Sequence, residues 1–92
     1  HRAIAQSGAA SNVSPPAQSA RVAEVFLREL GHTHGDLDRL RRRPLADLLA
    51  AQMRTSLRSR GELGLLPWQP SVDGEVLKRI PLDAVAAGSS AA

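Results

Sequence analysis

One serine, Ser7, stands where a nucleophile could stand, after a short apolar segment and directly before a glycine. A nucleophilic serine of the Gly-x-Ser-x-Gly type occupies a strained turn between a strand and a helix, and the motif keeps glycine on both sides of it. Here the five residues read Ala5-Gln6-Ser7-Gly8-Ala9, so alanine fills both glycine positions. Ser7 is therefore predicted to be a buried, hydrogen-bonding serine rather than a nucleophile.

Two histidines and two aspartates lie close together in the sequence and could suggest a metal site: His32, His34, Asp36 and Asp38. Zinc sites require three or four converging ligands with supporting hydrogen bonds. The two histidines lie in a loop next to glycine, and a third well-placed ligand is not evident. We therefore expect solvent-exposed loop histidines and no metal.

A basic cluster follows at residues 39–43, where four of the five residues are arginine. Such a cluster could contact nucleic-acid phosphates. However, no aromatic residue lies near it for base stacking, no binding motif is recognisable, and nearby aspartates can neutralise it. The net charge of +3 is ordinary for a soluble protein. A solvated helix face is the favoured interpretation, and nucleic-acid binding is the weaker alternative.

Length and composition limit the architecture. A chain of 92 residues forms at most one small domain, which buries roughly 60–65% of the surface exposed by its unfolded form. With one Phe, one Trp, no Tyr and no Cys, neither a large aromatic core nor a disulfide is available. No apolar run of membrane-spanning length and no signal-peptide pattern is found. We expect a soluble piece without membrane association, and the compartment stays open.

Two amphipathic helices organise the chain. The first is predicted over residues 15–30, with Ser14 as the N-cap and Gly31 as a left-handed stop. The second is predicted over residues 44–58, ended by Gly61. Between them Asp36 can cap one short turn of helix. Their apolar stripes are spaced three and four residues apart and consist of Ala23, Phe26, Leu27 and Leu30 in the first helix, and Leu45, Leu48, Leu49 and Met53 in the second.

The remaining segments are shorter. Residues 1–8 are strand-like, with the strand itself at residues 3–6, and residues 15–60 form the helical region. Residues 61–80 form a loop and hairpin, with a tight turn at Asp73-Gly74, and residues 81–88 form a short helix that begins at Pro81. As an isolated piece the chain is thus predicted to be mainly α. The two apolar stripes would be buried against each other or against a second copy, which favours self-association.

Two stretches carry a resemblance to a known family. The first is Arg2-Ala3-Ile4-Ala5-Gln6-Ser7-Gly8-Ala9, and the second is Leu66-Pro67-Trp68-Gln69-Pro70-Ser71-Val72-Asp73-Gly74-Glu75-Val76-Leu77. In this order they resemble the middle of a type-B carboxylesterase, the α/β-hydrolase family that includes bacterial para-nitrobenzyl esterases and the cholinesterases. The resemblance implies an internal segment, residues 1–92, of such a domain, whose parent fold is α/β.

The resemblance implies that the parent hydrolyses small-molecule carboxylic esters through a serine acyl-enzyme, without a cofactor or metal. The serine, glutamate and histidine of that family do not map onto this sequence. The segment alone is therefore expected to be inactive, with the remainder of the esterase domain as its partner. A different hypothesis is a stand-alone helical interaction module.

The resemblance assigns supporting roles to four residues. Ser7 matches the serine of the family's Gln-Ser-Gly, which supports the catalytic triad by hydrogen bonding. Leu66 and Trp68 match a stretch that helps to wall the acyl pocket. Asn12 begins a loop that matches another wall, where cholinesterases carry a bulky tryptophan. The absence of that tryptophan from this loop implies a roomier pocket of the bacterial type.

Overall fold

A computed structural model describes residues 4–8, 10–32 and 36–88. Within these ranges the protein is mainly helical and contains no strand. Its helices are α1 (Pro16–Glu29), α2 (Leu37–Arg41), α3 (Leu45–Arg58), α4 (Arg60–Leu63) and α5 (Pro81–Ala86). The predicted fold class, mainly α, is confirmed. None of the described helices is both long enough and apolar enough to cross a membrane.

The chain divides into two compact units. One contains residues 18–68, and therefore most of α1 together with α2, α3 and α4. The other combines residues 1–17 with residues 69–92 and contains α5. A chain segment from each end thus contributes to the second unit.

The C-terminus of α1 is closed by a Schellman motif around Gly31. The His32 N–H donates to the Leu27 carbonyl at 2.8 Å, and the Gly31 N–H donates to the Arg28 carbonyl at 3.0 Å. The motif requires a left-handed residue, and Gly31 has φ +74°. The predicted stop at Gly31 is confirmed.

The N-terminus of α1 differs in detail from the prediction. The helix begins at Pro16, and the Ser14 hydroxyl donates to Gln69 Oε1 at 3.3 Å. Ser14 is buried and forms an isolated parallel bridge with Ser71. Long-range pairing between the two ends of the chain therefore engages this serine.

Both ends of α3 agree with the prediction to within one residue, but the predicted stop at Gly61 is wrong. Asp36 caps α2 as expected, since its carboxylate accepts from the Arg39 N–H at 3.1 Å. Gly61 does not stop α3. The chain turns at Ser59, and α4 begins at Arg60 and includes Gly61. Gly61 lacks a positive φ, whereas Gly64 has φ +78° and ends α4.

The buried face of α3 is not the leucine stripe. Ala51, Thr55 and, just beyond the helix, Ser59 are buried. The Thr55 hydroxyl donates to the Ala51 carbonyl at 2.8 Å, so its burial leaves no donor unpaired. The opposite face exposes large apolar side chains, each more than half exposed: Leu45, Leu49, Met53 and Leu57. These four residues are called the outer stripe below.

The prediction that the two apolar stripes bury each other is therefore wrong for α3. In α1 the buried residues are Val22 and Val25, followed by Leu30 just after the helix. Ala23, which the predicted stripe included, is exposed. Small side chains thus line the inner face of α3, and larger apolar side chains lie on its exposed face.

No strand or hairpin forms where either was predicted. Ile4, Ala5 and Gln6 are exposed and make no strand, and Ala3 lies outside the described residues. A strand needs a partner for its edge, and the described residues supply only the Ser14–Ser71 bridge. At Asp73-Gly74 the chain does turn, but it does so through the Asp73 carboxylate, which accepts from the Glu75 and Leu77 N–H groups at 3.0 and 2.9 Å.

Candidate functional site

Trp68 is held in a fixed orientation by two side chains of its own unit. The indole Nε1–H donates to Ser56 Oγ at 2.9 Å, and the Ser56 hydroxyl donates to the Gln52 carbonyl at 3.1 Å. The ring meets Phe26 edge to face, with centroids 5.4 Å apart and planes at 86°, a favourable arrangement for an aromatic pair. A polar contact and an aromatic contact thus fix one wall.

An apolar groove of about 510 Å³ lies beside this wall. Ligand pockets in proteins range from about 300 to 1,000 Å³ and combine apolar walls with few polar groups. The groove fits this description. It is lined by Phe26, Leu40, Arg41, Leu45, Leu48, Leu49, Gln52 and Trp68.

A second groove of about 440 Å³ continues along α3 and shares Leu49 and Gln52 with the first. Met53, Ser56 and Leu57 complete its lining. The outward face of α3 therefore carries large apolar side chains along its length, with Gln52 and Ser56 between them.

Glu29 connects α1 to α3 by two ion pairs. Its carboxylate meets Arg54 Nε and Arg58 Nε, both at 3.0 Å, and Arg54 Nη2 also donates to the Glu29 carbonyl at 3.1 Å. The Glu29 side chain is only 10% exposed. A largely buried carboxylate needs such partners, so these contacts tie the end of α1 to α3.

Arg21 connects α1 to α4 through Glu62. Two parallel contacts of 2.6 Å and 3.3 Å join the guanidinium to both carboxylate oxygens. This bidentate hydrogen bonding lowers the pKa of Glu62 and raises the pKa of Arg21, with Glu24 adding to the second effect. The two shifts agree in sign, as expected for a charge-assisted pair.

Arg41 differs from these arginines. Its partner Asp38 lies at 3.4 Å, and both side chains are about three-quarters exposed. Exposed ion pairs of this kind contribute little. Arg43 is less exposed and pairs with Asp47 at 3.5 Å. Aspartates thus neutralise part of the basic cluster at residues 39–43, while Arg41 also lines the groove.

Ser7 and Asn12 lie in the unit that contains both chain ends. Ser7 is exposed and has φ +66°, a left-handed conformation that is uncommon for serine. The Asn12 side chain donates to the Ser7 carbonyl at 3.5 Å. In this chain the prediction of a buried Ser7 is wrong.

Leu66 and Trp68 lie in the unit of residues 18–68. Both are exposed, with Trp68 at 41%. Trp68 lines the groove, whereas Leu66 does not. The structure therefore gives Trp68 a clear place in an apolar wall and leaves Leu66 on the surface.

The histidine loop is described only in part, because residues 33–35 lie outside the described ranges. His32 is buried, contrary to the exposed loop histidine that was predicted. It follows the left-handed Gly31 in the Schellman motif, and it borders a cavity of about 450 Å³ with Leu27. Its Nε2 has no hydrogen-bond partner among the described residues. The described ranges contain no cluster of three potential metal ligands.

Several groove residues were not singled out as site residues from the sequence. The sequence pattern identifies Phe26 and Leu48 only as members of apolar helix stripes, and no sequence pattern marks Ser56 as a site residue. A short motif identifies residues that lie together in sequence, whereas Ser56 and Trp68 meet only because α3 turns back through α4.

One curated relative matches nearly the whole chain. The chain is similar to the para-nitrobenzyl esterase of Bacillus subtilis (strain 168), with 32% identity over 89 residues. These 89 residues make up 97% of this chain. The chain spans 18% of the length of that relative. This similarity supports a carboxylesterase-like relationship. No protein-family model matches the chain, and no solved structure matches it.

Proposed function

We propose that this chain is a segment of a carboxylic-ester hydrolase that acts through a serine acyl-enzyme in the full-length protein. The 92-residue chain alone is inactive in this proposal. The observation that carries it is the match to an esterase along 97% of the chain. An internal segment would produce such a match, because it would align along nearly its whole length and yet span only 18% of the relative.

The chemistry of the described residues supports inactivity. Acyl transfer by serine requires a base within hydrogen-bond reach of the hydroxyl. Among residues 4–8, 10–32 and 36–88 no serine hydroxyl is hydrogen-bonded to a histidine. Nucleophile, acid and base would therefore be supplied by other parts of the full-length protein.

Four residues of this chain take supporting roles in the proposal. Ser7 would donate to the triad once the remainder of the domain covers it, which fits its exposed position here. Trp68 would wall the acyl side of the substrate pocket, and Leu66 and Asn12 would contribute further wall. The contacts from Ser56 and Phe26 give Trp68 the rigidity that such a wall needs.

The remainder of the esterase domain is the proposed partner of the outer stripe. Four large apolar side chains on one helix face form the kind of contiguous patch that marks an interaction surface. Burial of these side chains would stabilise the full-length protein by about 25 cal/mol for each Å² of apolar surface removed from water. The partner surface would be apolar and would belong to the same polypeptide.

A fluorophosphonate probe tests the proposal, because it labels activated serines. The 92-residue chain and the longer reading frame that contains it would each be treated, and labelling would be located by intact mass and peptide mapping. We expect labelling of the longer protein at a serine outside this chain, and none of the chain itself. Ser7→Ala in the longer protein should lower kcat while the labelled serine stays the same.

Two outcomes would contradict the proposal. Labelling of the 92-residue chain at Ser7 would make Ser7 a nucleophile in its own right. A longer protein that neither reacts with the probe nor hydrolyses para-nitrophenyl esters would remove the esterase assignment.

A second candidate function, a stand-alone helical interaction module, is favoured by the same outer stripe. In that case the stripe would bind another protein or a second copy of the chain. The coding sequence distinguishes the two. A reading frame confined to this chain favours the module, and a frame that encodes Gly-x-Ser-x-Gly upstream excludes it.

A further inference from the structure

We propose that the cavity beside His32 binds a small organic phosphate, with Arg28 and His32 donating to the phosphate group and Glu24 accepting from a hydroxyl of the organic part. The cavity has a volume of about 450 Å³. It is lined by Glu24, Leu27, Arg28 and His32, which lie in α1 and directly after it. It shares no lining residue with the groove beside Trp68, and ester hydrolysis is not needed for it.

His32 is the residue that points to a ligand. It is only 6% exposed, and its Nε2 has no hydrogen-bond partner among the described residues. Buried polar groups are nearly always hydrogen-bonded, because an unpaired one costs free energy. A neutral imidazole can carry its proton on Nε2 and donate from it. A ligand oxygen in the cavity would therefore satisfy this nitrogen.

Arg28 supplies a positive charge to the same cavity. Its side chain is exposed, and no ion pair within the described ranges involves it. A guanidinium stays charged at neutral pH and can bind a phosphate through two parallel N–H groups. With the Nε2–H of His32, the cavity offers a phosphate at least three donors. A carboxylate, with two oxygens, would use this set less completely.

The end of α1 does not oppose an anion at this place. The open carbonyl groups at a helix C-terminus would repel a negative charge. Here the carbonyls of Leu27 and Arg28 already accept from the N–H groups of His32 and Gly31, at 2.8 and 3.0 Å. The guanidinium of Arg28 adds a compensating positive charge in the last turn.

Glu24 determines what the organic part of the ligand must carry. Its Oε2 accepts from Arg21 Nη1 at 2.9 Å, so its charge is partly neutralised and Oε1 can accept from a ligand. A hydroxyl can donate there, whereas an ammonium group would compete with Arg21. Leu27 lines the same cavity and can pack against carbon atoms. The lining thus favours a phosphorylated polyol over inorganic phosphate or a phosphorylated amine.

Glycerol 3-phosphate, inorganic phosphate and glycerol test the proposal as a matched set. Each would be titrated at constant pH and ionic strength into the 92-residue chain and into the longer protein that contains it. Heteronuclear NMR of the His32 imidazole would follow binding at Nε2. We expect a saturable shift with glycerol 3-phosphate, about fivefold weaker binding of inorganic phosphate through loss of one hydrogen bond, and no response to glycerol.

The variant that tests the charge is Arg28→Gln, which should weaken glycerol 3-phosphate about tenfold. Its control is Arg60→Gln, which removes an exposed arginine of the same compact unit that does not line the cavity. Arg60→Gln should change binding less than about twofold. Circular dichroism would verify that both variants stay folded.

Glu24→Ala tests recognition of the organic part. The readout is the ratio of the two affinities, for glycerol 3-phosphate and for inorganic phosphate, because a general change in charge affects both ligands alike. We expect the preference for glycerol 3-phosphate to fall below about twofold in this variant.

Three results would overturn the proposal. They are the absence of a saturable His32 response in both proteins, equal weakening by Arg28→Gln and Arg60→Gln, and binding of inorganic phosphate as tight as that of glycerol 3-phosphate. A response in the longer protein alone would support the site and show that the cavity needs the remainder of the domain. Because these measurements follow binding, their failure is distinct from failure of probe labelling in the longer protein.

Discussion

The indole of Trp68 and the hydroxyl of Ser56 are joined by a hydrogen bond of 2.9 Å across twelve positions of the chain. Ser56 lies in α3, whereas Trp68 follows α4. The contact therefore closes the loop that contains α4 and sets the angle at which Trp68 borders the groove. Phe26 approaches the same ring edge to face from α1. One tryptophan thus unites three segments of its unit.

Removal of this hydrogen bond should loosen Trp68 without destroying the fold. Ser56→Ala is compared with Ser19→Ala, because both serines lie in helices and both changes gain the same helix propensity. Ser19 Oγ is buried and has no hydrogen-bond partner within residues 4–8, 10–32 and 36–88. Ser56→Ala should therefore be less stable to urea than Ser19→Ala by about 1 kcal/mol, and its Trp68 emission should shift to the red.

Equal free energies of unfolding for the two variants would show that the Trp68–Ser56 contact contributes nothing to stability. An unshifted emission spectrum in Ser56→Ala would show that the ring keeps its environment without it.

Local signals in the sequence sufficed for the helix positions and several caps. Gly31, Asp36 and the bounds of α3 follow from residue preferences within one turn. The prediction of a strand at residues 3–6 is wrong for residues 4–6, because a strand depends on hydrogen bonds to a partner strand, which no local pattern supplies. The prediction that Gly61 ends α3 is wrong for a related reason, since glycine permits a helix to end but does not require it.

Of the residues that line the groove, only Trp68 was named as a site residue from the sequence. Periodicity identifies an apolar stripe but cannot say which of two faces is buried when the opposite face carries small residues. In α3 the face of Ala51 and Thr55 is inside, although the leucine stripe has the stronger apolar pattern. The groove arises from this choice, because it is lined by leucines that the inner face does not use.

The assignment of the inner face of α3 can be tested by substituting one residue on each face of the helix. Ala51 is fully buried, so Ala51→Leu should overpack its surroundings and cost about 1–3 kcal/mol. Met53 is exposed, and Met53→Gln should change the free energy of unfolding by less than about 0.5 kcal/mol. Urea denaturation followed by circular dichroism measures both.

The reverse ranking, a tolerated Ala51→Leu and a damaging Met53→Gln, would mean that the outer stripe is the buried one. If this reverse ranking were found only at high protein concentration, it would indicate that a second copy of the chain covers the outer stripe.

Glu29 should be the most sensitive of the ion-paired acidic residues. Glu29→Gln removes the charge that holds both Arg54 and Arg58. We expect a loss of about 1–2 kcal/mol, at the lower end of hydrogen bonds to charged groups because both arginines are substantially exposed. Asp38→Asn is the control, since its pair with Arg41 is exposed and long, and it should cost less than about 0.5 kcal/mol. Thermal unfolding at low salt would separate the two, and equal effects would contradict the structural role of Glu29.

The Asp73 turn should lose stability in acid. Backbone N–H donation from Leu77 and then Glu75 lowers the pKa of Asp73 below its usual value. A depressed pKa means that the stabilisation is complete above the unfolded value of about 3.9 and is lost as the pH falls through the folded value. Glu62 acts in the same direction through Arg21.

Chemical shifts of the Glu75 and Leu77 amides report this titration directly. We expect them to stay constant from about pH 7 to pH 5 and to move below about pH 4. In Asp73→Asn the side-chain oxygen still accepts but does not titrate, so the two amides should be insensitive to acid. Amides that titrate identically in Asp73→Asn would assign the acid response to another group.

Two glycines with equally open surroundings should respond to alanine in opposite directions. An added Cβ meets no atom within 4 Å at either Gly31 or Gly61, so conformation alone decides the outcome. Gly31 has φ +74° and holds the Schellman motif at the end of α1. Gly31→Ala should therefore cost about 1–2 kcal/mol. Gly61 lies within α4 and lacks a positive φ, so Gly61→Ala should raise the free energy of unfolding by up to about 1 kcal/mol through lower unfolded-state entropy and better helix propensity.

Urea unfolding of both variants at constant m-value measures the difference. A stabilising Gly31→Ala would mean that α1 continues past residue 30 in solution, which would displace His32 and the contacts of Glu29 with α3.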